Sequence, residues 1–178
     1  LVSISKSRSS LSEVMKGQTG LLAQTMVNTI ENWIQDRKSD VTDWVKDPDL
    51  QGAFKEPSLT NNATKTANAL CAALIKKNDY FEQILLVDSQ GIIFGGATEA
   101  TGKVNLSERA YFQQAMAGGK MVLSDVVMSK TTSKPVMAVV NPIIEQNKTV
   151  GLVLGTIDLE AFSKQYLEPV KILKSGYF

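Results

Sequence analysis

The residues best suited to chemistry stand in Arg109-Ala110-Tyr111-Phe112, where a permanent cation precedes two aromatic rings. A guanidinium is a planar fork that meets a carboxylate through two parallel hydrogen bonds. Ser107 is expected to cap a helix here and Glu108 to suit its positive end. Arg109 then falls in the first turn, where a cation opposes the helix dipole by roughly 0.3–1 kcal/mol. Its partner is either the carboxylate of a ligand or an acid of the protein, Asp125 among them. Further along, Asp125, Val127 and Ser129 alternate onto one face of an expected strand. Met137 and Val139 share a face of the next, and Thr156 lies near the end of the last. One cation, an aromatic, small hydroxyls and an apolar lining make a binding site, not a catalytic one.

The missing residue types narrow the chemistry. The 178 residues include no histidine, which removes Ser-His-Asp and Cys-His catalysis, histidine-ligated metals and a phospho-accepting histidine. Cys71 stands alone, so neither an internal disulfide nor a thiolate metal cluster can form, and its place in the apolar stretch 67–75 reads as burial. No catalytic residue, metal site or cofactor is expected. The stretch Gly95-Gly-Ala-Thr-Glu-Ala-Thr-Gly102-Lys103 is no phosphate loop, because its glycine spacing is one residue too long and Val104 follows the lysine. It reads as a loop beside the pocket. A net charge of +1 gives nucleic acid no electrostatic handle. With 43% hydrophobic and 21% charged residues the chain must fold, yet no apolar run reaches the roughly 20 residues that cross a bilayer.

The elements that position these residues follow from periodicity. Residues 3–46 read as one long helix, with Leu11, Met15, Leu22, Met26, Ile30, Trp33, Val41 and Trp44 at three- and four-residue spacing. About 40 residues at 1.5 Å each span roughly 60 Å, more than one small domain needs. The polar first twenty residues call for either a partner subunit or fraying. Asp47-Pro48 ends the helix, and Ser58 or Thr60 is expected to cap a second one running to Lys77. Ile84–Val87 and Ile92–Phe94 form strands around the turn Asp88–Gly91. After the helix at 107–117 come three apolar runs, Met121–Met128, Val136–Ile144 and Val150–Ile157, joined by polar connectors of hairpin length. The fold class is α+β: a PAS-like antiparallel five-stranded sheet with a long N-terminal helix.

In order and spacing, LLVDSQGIIF, SERAYFQQAMAGG, SDVVMSKTTSKPVMAVVNPI and GLVLGTIDLEAF resemble the double-Cache extracytoplasmic sensor domains of bacterial methyl-accepting chemotaxis receptors and sensor kinases. With the long helix, the resemblance covers nearly the whole chain. It implies residues 1–47 as a signalling and dimerisation helix, 48–162 as the PAS-like ligand-binding module, and 163–178 as a connecting helix and the start of a second module. This module would be the membrane-distal one, of a receptor anchored outside the present residues. Amino-acid-sensing relatives hold the ligand carboxylate with Arg-x-Trp-Tyr, which Arg109, Tyr111 and Phe112 match in part. Their tyrosine and aspartate on the next strand, and an aspartate on the last, correspond to Val127, Ser129 and Thr156. Both acceptors for an ammonium are gone.

The expected function is therefore a non-catalytic extracytoplasmic sensor that binds a small anionic metabolite and signals across a membrane. The competing expectation is a ligand-free dimerisation module of a receptor or kinase. Partners are a small-molecule ligand and, through the N-terminal helix, a second copy of the chain.

Overall fold

The computed structural model describes the backbone of residues 2–164 and the side chains of residues 16–164. The chain opens with α1 (Val2–Trp44), then α2 (Pro48–Lys55) and α3 (Asn62–Lys77). The strands β1 (Phe81–Asp88) and β2 (Ile93–Gly96) precede α4 (Ala110–Gly118). Four strands follow, β3 (Val122–Leu123), β4 (Val127–Met128), β5 (Pro135–Glu145) and β6 (Lys148–Asp158), before α5 (Leu159–Phe162). The expected connecting helix and start of a second module at 163–178 lie almost wholly outside the described residues.

Contacts divide the chain at Ser39/Asp40, eight residues before the expected limit at 47, although α1 runs through the division. In the first unit the helix places the Arg37 guanidinium 5.3 Å from the Trp33 ring centre and leaves Leu21 and Val27 exposed. The second unit begins with the last turn of α1, where Val41 and Trp44 are buried and Trp44 meets the Phe81 ring edge-on at 4.7 Å. Asp47 caps α2 by accepting from Asp49 N, with Pro48 in the first turn, where a missing N–H costs nothing. Asn61 caps α3 by accepting from Thr64 N at 2.7 Å, in place of the expected Ser58 or Thr60.

The sheet is antiparallel, in the order β2-β1-β6-β5-β3, with β4 also on β5. Two turns show why the chain reverses where it does. Asp88 Oδ1 accepts from Gln90 N and Ile92 N, closing the β1–β2 turn around Gly91 at φ +86°. Gln146 and Asn147, at φ +48° and +62°, form the two-residue β5–β6 hairpin, whose positive angles match the twist of the strands. The third expected strand is broken in two, giving six strands in place of five. Ser124 causes the break: its N–H donates to Ala138 O, its Oγ accepts from Ala138 N, and its hydroxyl donates to Asp125 O. A side chain that takes over ladder bonds leaves the next residues free to leave the sheet. Pro142 is tolerated in β5 because the pairing of β5 with β3 ends at Val140, so its missing N–H faces no partner strand.

The two sheet faces differ. Leu85, Val87, Ala138, Val140, Leu152 and Leu154 pack against Tyr111, Phe112 and Ala115 of α4. The other face meets the end of α1, with α2 and α3. There a Cβ on Gly151 would stand 2.6 Å from the Phe54 ring, and one on Gly155 would stand 2.5 Å from the Phe81 ring. The site is built on the α4 face.

Candidate functional site

The helix that carries the aromatic pair starts later than expected. Arg109 is itself the N-cap residue of α4, in extended geometry at φ −73° and ψ 131°, and its side chain caps nothing. Ser107 is not the cap; its N–H is held by Asn105 Oδ1 at 2.7 Å, which turns the chain one step earlier. Freed from the helix barrel, the Arg109 side chain reaches across to β4 and donates from Nη2 to the Met128 carbonyl at 2.9 Å. Its Nε is buried and has no hydrogen-bond partner among the described residues. The expected alternative partner, Asp125, is exposed and forms no ion pair with Arg109 or Lys134 among the described residues. Lys134 instead bonds Asp158 at 3.1 Å and approaches Glu82 at 3.6 Å.

Arg109, Tyr111, Asp125 and Val127 come together around a cleft of about 440 Å³, with Glu108, Gln114, Leu123 and Ser124. Burial pushes the Tyr111 phenol above its ordinary pKa, with the Arg109 charge acting against the shift. Tyr111 is thus a neutral ring with a hydroxyl at the wall, beside a cation.

The other expected site residues fall elsewhere. Phe112 is buried in the core under α4. Met137 is the clearest miss: Ala138 and Val140 face α4, so alternation turns Met137 to the opposite face. Ser129 and Thr156 lie near a second cleft, of about 460 Å³, lined by Gln83, Thr98, Glu99, Ala100, Lys103, Val104 and Lys130–Thr132. The glycine-bearing loop after β2 borders this second cleft and does not line the one at Arg109. Its start is pinned by Asn68 Oδ1, which accepts from Gly96 N at 2.6 Å.

Gln83 organises the second cleft, and nothing in its own sequence surroundings singled it out. Its Nε2 donates to Thr98 Oγ1 at 2.9 Å, and its Oε1 accepts from the Thr131 hydroxyl. Ser129 Oγ and Thr131 Oγ1 are 2.8 Å apart, and Thr156 Oγ1 accepts from Gln83 N at 3.1 Å. The Thr132 hydroxyl is buried with no partner among the described residues. Val127 lines the first cleft and Lys130–Thr132 line the second. Glu108, on the first, and Lys130, on the second, are joined at 2.5 Å, and that bond, with the Lys130 charge, holds the Glu108 carboxyl below its ordinary range. Among the described residues no group of three or more His, Cys, Asp or Glu side chains is placed to hold a metal ion.

Residues 7–178 match the family model dCache_1, described as a Cache domain. The chain belongs to the Cache-domain family. Its fold is that of solved sensor domains. The ligand-binding domain of the Campylobacter jejuni chemoreceptor Tlp3 in complex with L-valine superposes with a TM-score of 0.69 at 14% identity, covering 88% of this chain and 64% of that one. The sensor domain of the V. cholerae histidine kinase DctB gives 0.66 at 16% identity, covering 82% and 58%. In sequence, sporulation kinase D of Bacillus subtilis (strain 168) is 29% identical over 70 residues, which are 39% of this chain and 14% of the kinase. The chain therefore spans a part of each relative's length. At these identities the structural likeness carries the Cache fold, and the site must be argued from this chain's own residues.

Proposed function

We propose that this Cache domain is the extracytoplasmic ligand-binding part of a membrane receptor, and that it senses a small carboxylate held by Arg109. One observation carries the reading. Arg109 is half-buried at the lip of a cleft, spends one amine on a backbone carbonyl, and leaves its buried Nε unpartnered, with no carboxylate of the described residues in ion-pair range. A buried guanidinium edge without an acceptor is costly, and an anion that enters the cleft relieves that cost. Tyr111, Leu123 and Val127 supply the apolar wall that a small metabolite needs. Neighbours of the same fold, described as chemoreceptor domains in complex with amino acids, support a small acid as ligand class. The reading is non-catalytic: occupancy shifts the balance between two arrangements of the domain and the signal passes onward.

The test is a melting screen of the purified chain against small mono- and dicarboxylates, followed by calorimetric titration. An acid at 100 times its Kd should stabilise the fold by about 2.7 kcal/mol. Arg109→Ala should abolish that gain, and Arg109→Lys should weaken it, because a point charge cannot make two parallel bonds. A ligand-free spacer predicts that no acid stabilises the chain.

A further inference from the structure

The lining of the Arg109 cleft suits one carboxylate and opposes a second. We propose that the ligand is a monocarboxylate, and that Asp125 is the residue that turns dicarboxylates away. This deepens the carboxylate-sensor reading and rests on it.

Two stretches of chain line this cleft: Glu108–Tyr111 with Gln114, at the start of α4, and Leu123–Asp125 with Val127, where β3 breaks from β4. Arg109 is the one cation among these residues. The N-terminus of α4, which opens at Ala110 beside it, adds roughly half a positive charge at the same place. Two acids line the cleft as well, and they differ in their partners. Glu108 is committed to Lys130 at 2.5 Å, and Lys130 lines the other cleft. Asp125 is exposed and forms no ion pair among the described residues, because Lys134 is held by Asp158 and Glu82. Its carboxylate is therefore uncompensated on the wall that a ligand of Arg109 must face.

A monocarboxylate that lays its one charge on Arg109 turns its remaining atoms to Tyr111, Leu123 and Val127, whose ring and alkyl groups call for no charge. A dicarboxylate must bring a second charge into the same cleft, where no cation is left to receive it. An ionised carboxylate taken out of water without a partner is costly, and a like charge nearby adds to the cost. Because Asp125 is exposed, water screens its share, and a like charge about 8 Å away in such surroundings changes an affinity about threefold. Rejection by a repulsive group gives specificity as effectively as attraction of the right ligand.

Acids of equal chain length separate the alternatives: propionate against malonate, butyrate against succinate, and pentanoate against glutarate, each titrated calorimetrically into the chain at neutral pH. In at least one pair the monocarboxylate should bind about tenfold more tightly or better, since its partner must desolvate a carboxylate that finds no cation. Monomethyl succinate, as large as succinate but with one charge fewer, should follow butyrate, which separates charge from bulk. Asp125→Asn keeps the shape and removes the charge, so it should narrow the gap within each pair about threefold. Raising the salt from about 20 to about 500 mM should narrow the gap more in the unaltered chain than in the variant, a difference that a merely structural role for Asp125 would not produce. The Asp125 side chain is exposed, so the melting temperature of the variant without ligand should stay within about two degrees. Dicarboxylates that bind as tightly as their monocarboxylate partners would overturn the assignment while leaving the carboxylate sensor standing. An unchanged gap in Asp125→Asn would overturn the role of Asp125. Binding of no acid in any pair would overturn both the assignment and the sensor reading.

Discussion

Arg109→Ala in the absence of ligand separates a binding arginine from a structural one. The substitution removes one hydrogen bond, from Nη2 to the Met128 carbonyl at 2.9 Å. Hydrogen bonds to charged groups contribute about 1.5–3 kcal/mol when buried. This side chain is half-buried, and water competes for both ends, so about 1 kcal/mol is the expected loss. Two features lower it further: the mutation strands no carboxylate, and it deletes the buried Nε that has no acceptor. A structural arginine paired with a buried acid would instead cost about 3–5 kcal/mol, through the charge left behind. For a chain of this size 1 kcal/mol corresponds to about 2–4 °C in Tm. Urea unfolding of both proteins without ligand, followed by far-UV circular dichroism, resolves the two cases if the m-values agree. A loss above 3 kcal/mol at equal m-value would refute the reasoning.

Other expectations follow from single contacts. Cys71 is fully buried and burial pushes its thiol to about 12, so at pH 8 a disulfide reagent should label it only as fast as the fold opens. A Cβ at Gly96 would collide with the Ile84 carbonyl at a φ of +116°, so Gly96→Ala should destabilise by about 2 kcal/mol or more in urea titrations. Asp158 caps α5 and bonds Lys134; burial pushes its carboxyl up, but the Ala161 N–H and Lys134 outweigh this and hold it below its ordinary value. A carboxyl depressed on folding adds stability that is complete above its unfolded pKa of about 3.9 and is lost as pH falls through the folded value. The stability of the unaltered chain should therefore decline below about pH 4, and Asp158→Asn should flatten part of that acid limb.

The elements legible in the sequence were those whose signal is local. The long helix, the Asp88–Gly91 turn, the hairpin at Gln146-Asn147 and the two long strands all carry their own periodicity or turn chemistry. What escaped depended on single contacts that periodicity does not encode, several of them between residues far apart in the chain. The break in the third apolar run comes from Ser124 taking the bonds of Ala138, fourteen residues away. The cap of α4 moved because Asn105 holds Ser107, leaving Arg109 outside the helix with its side chain free to reach Met128. Met137 was assigned to the wrong face because alternation tells which residues share a face, not which face looks inward. Gln83 could not have been found: its role lies in bonds to Thr98 and Thr131, and the latter stands 48 residues downstream. Arg109 and Tyr111, which line the first cleft, stand out in the sequence because a cation followed by aromatics is unusual at a helix start, and Asp125 and Val127 follow from alternation along one strand.

The most direct test of the account is the structure of the chain bound to the tightest acid from the melting screen. Arg109 is expected to meet the ligand carboxylate through Nε and one terminal amine, with donor–acceptor distances of about 2.7–2.9 Å. An acid seated elsewhere in the domain, with Arg109 Nη2 still on the Met128 carbonyl and Nε still unpartnered, would contradict it.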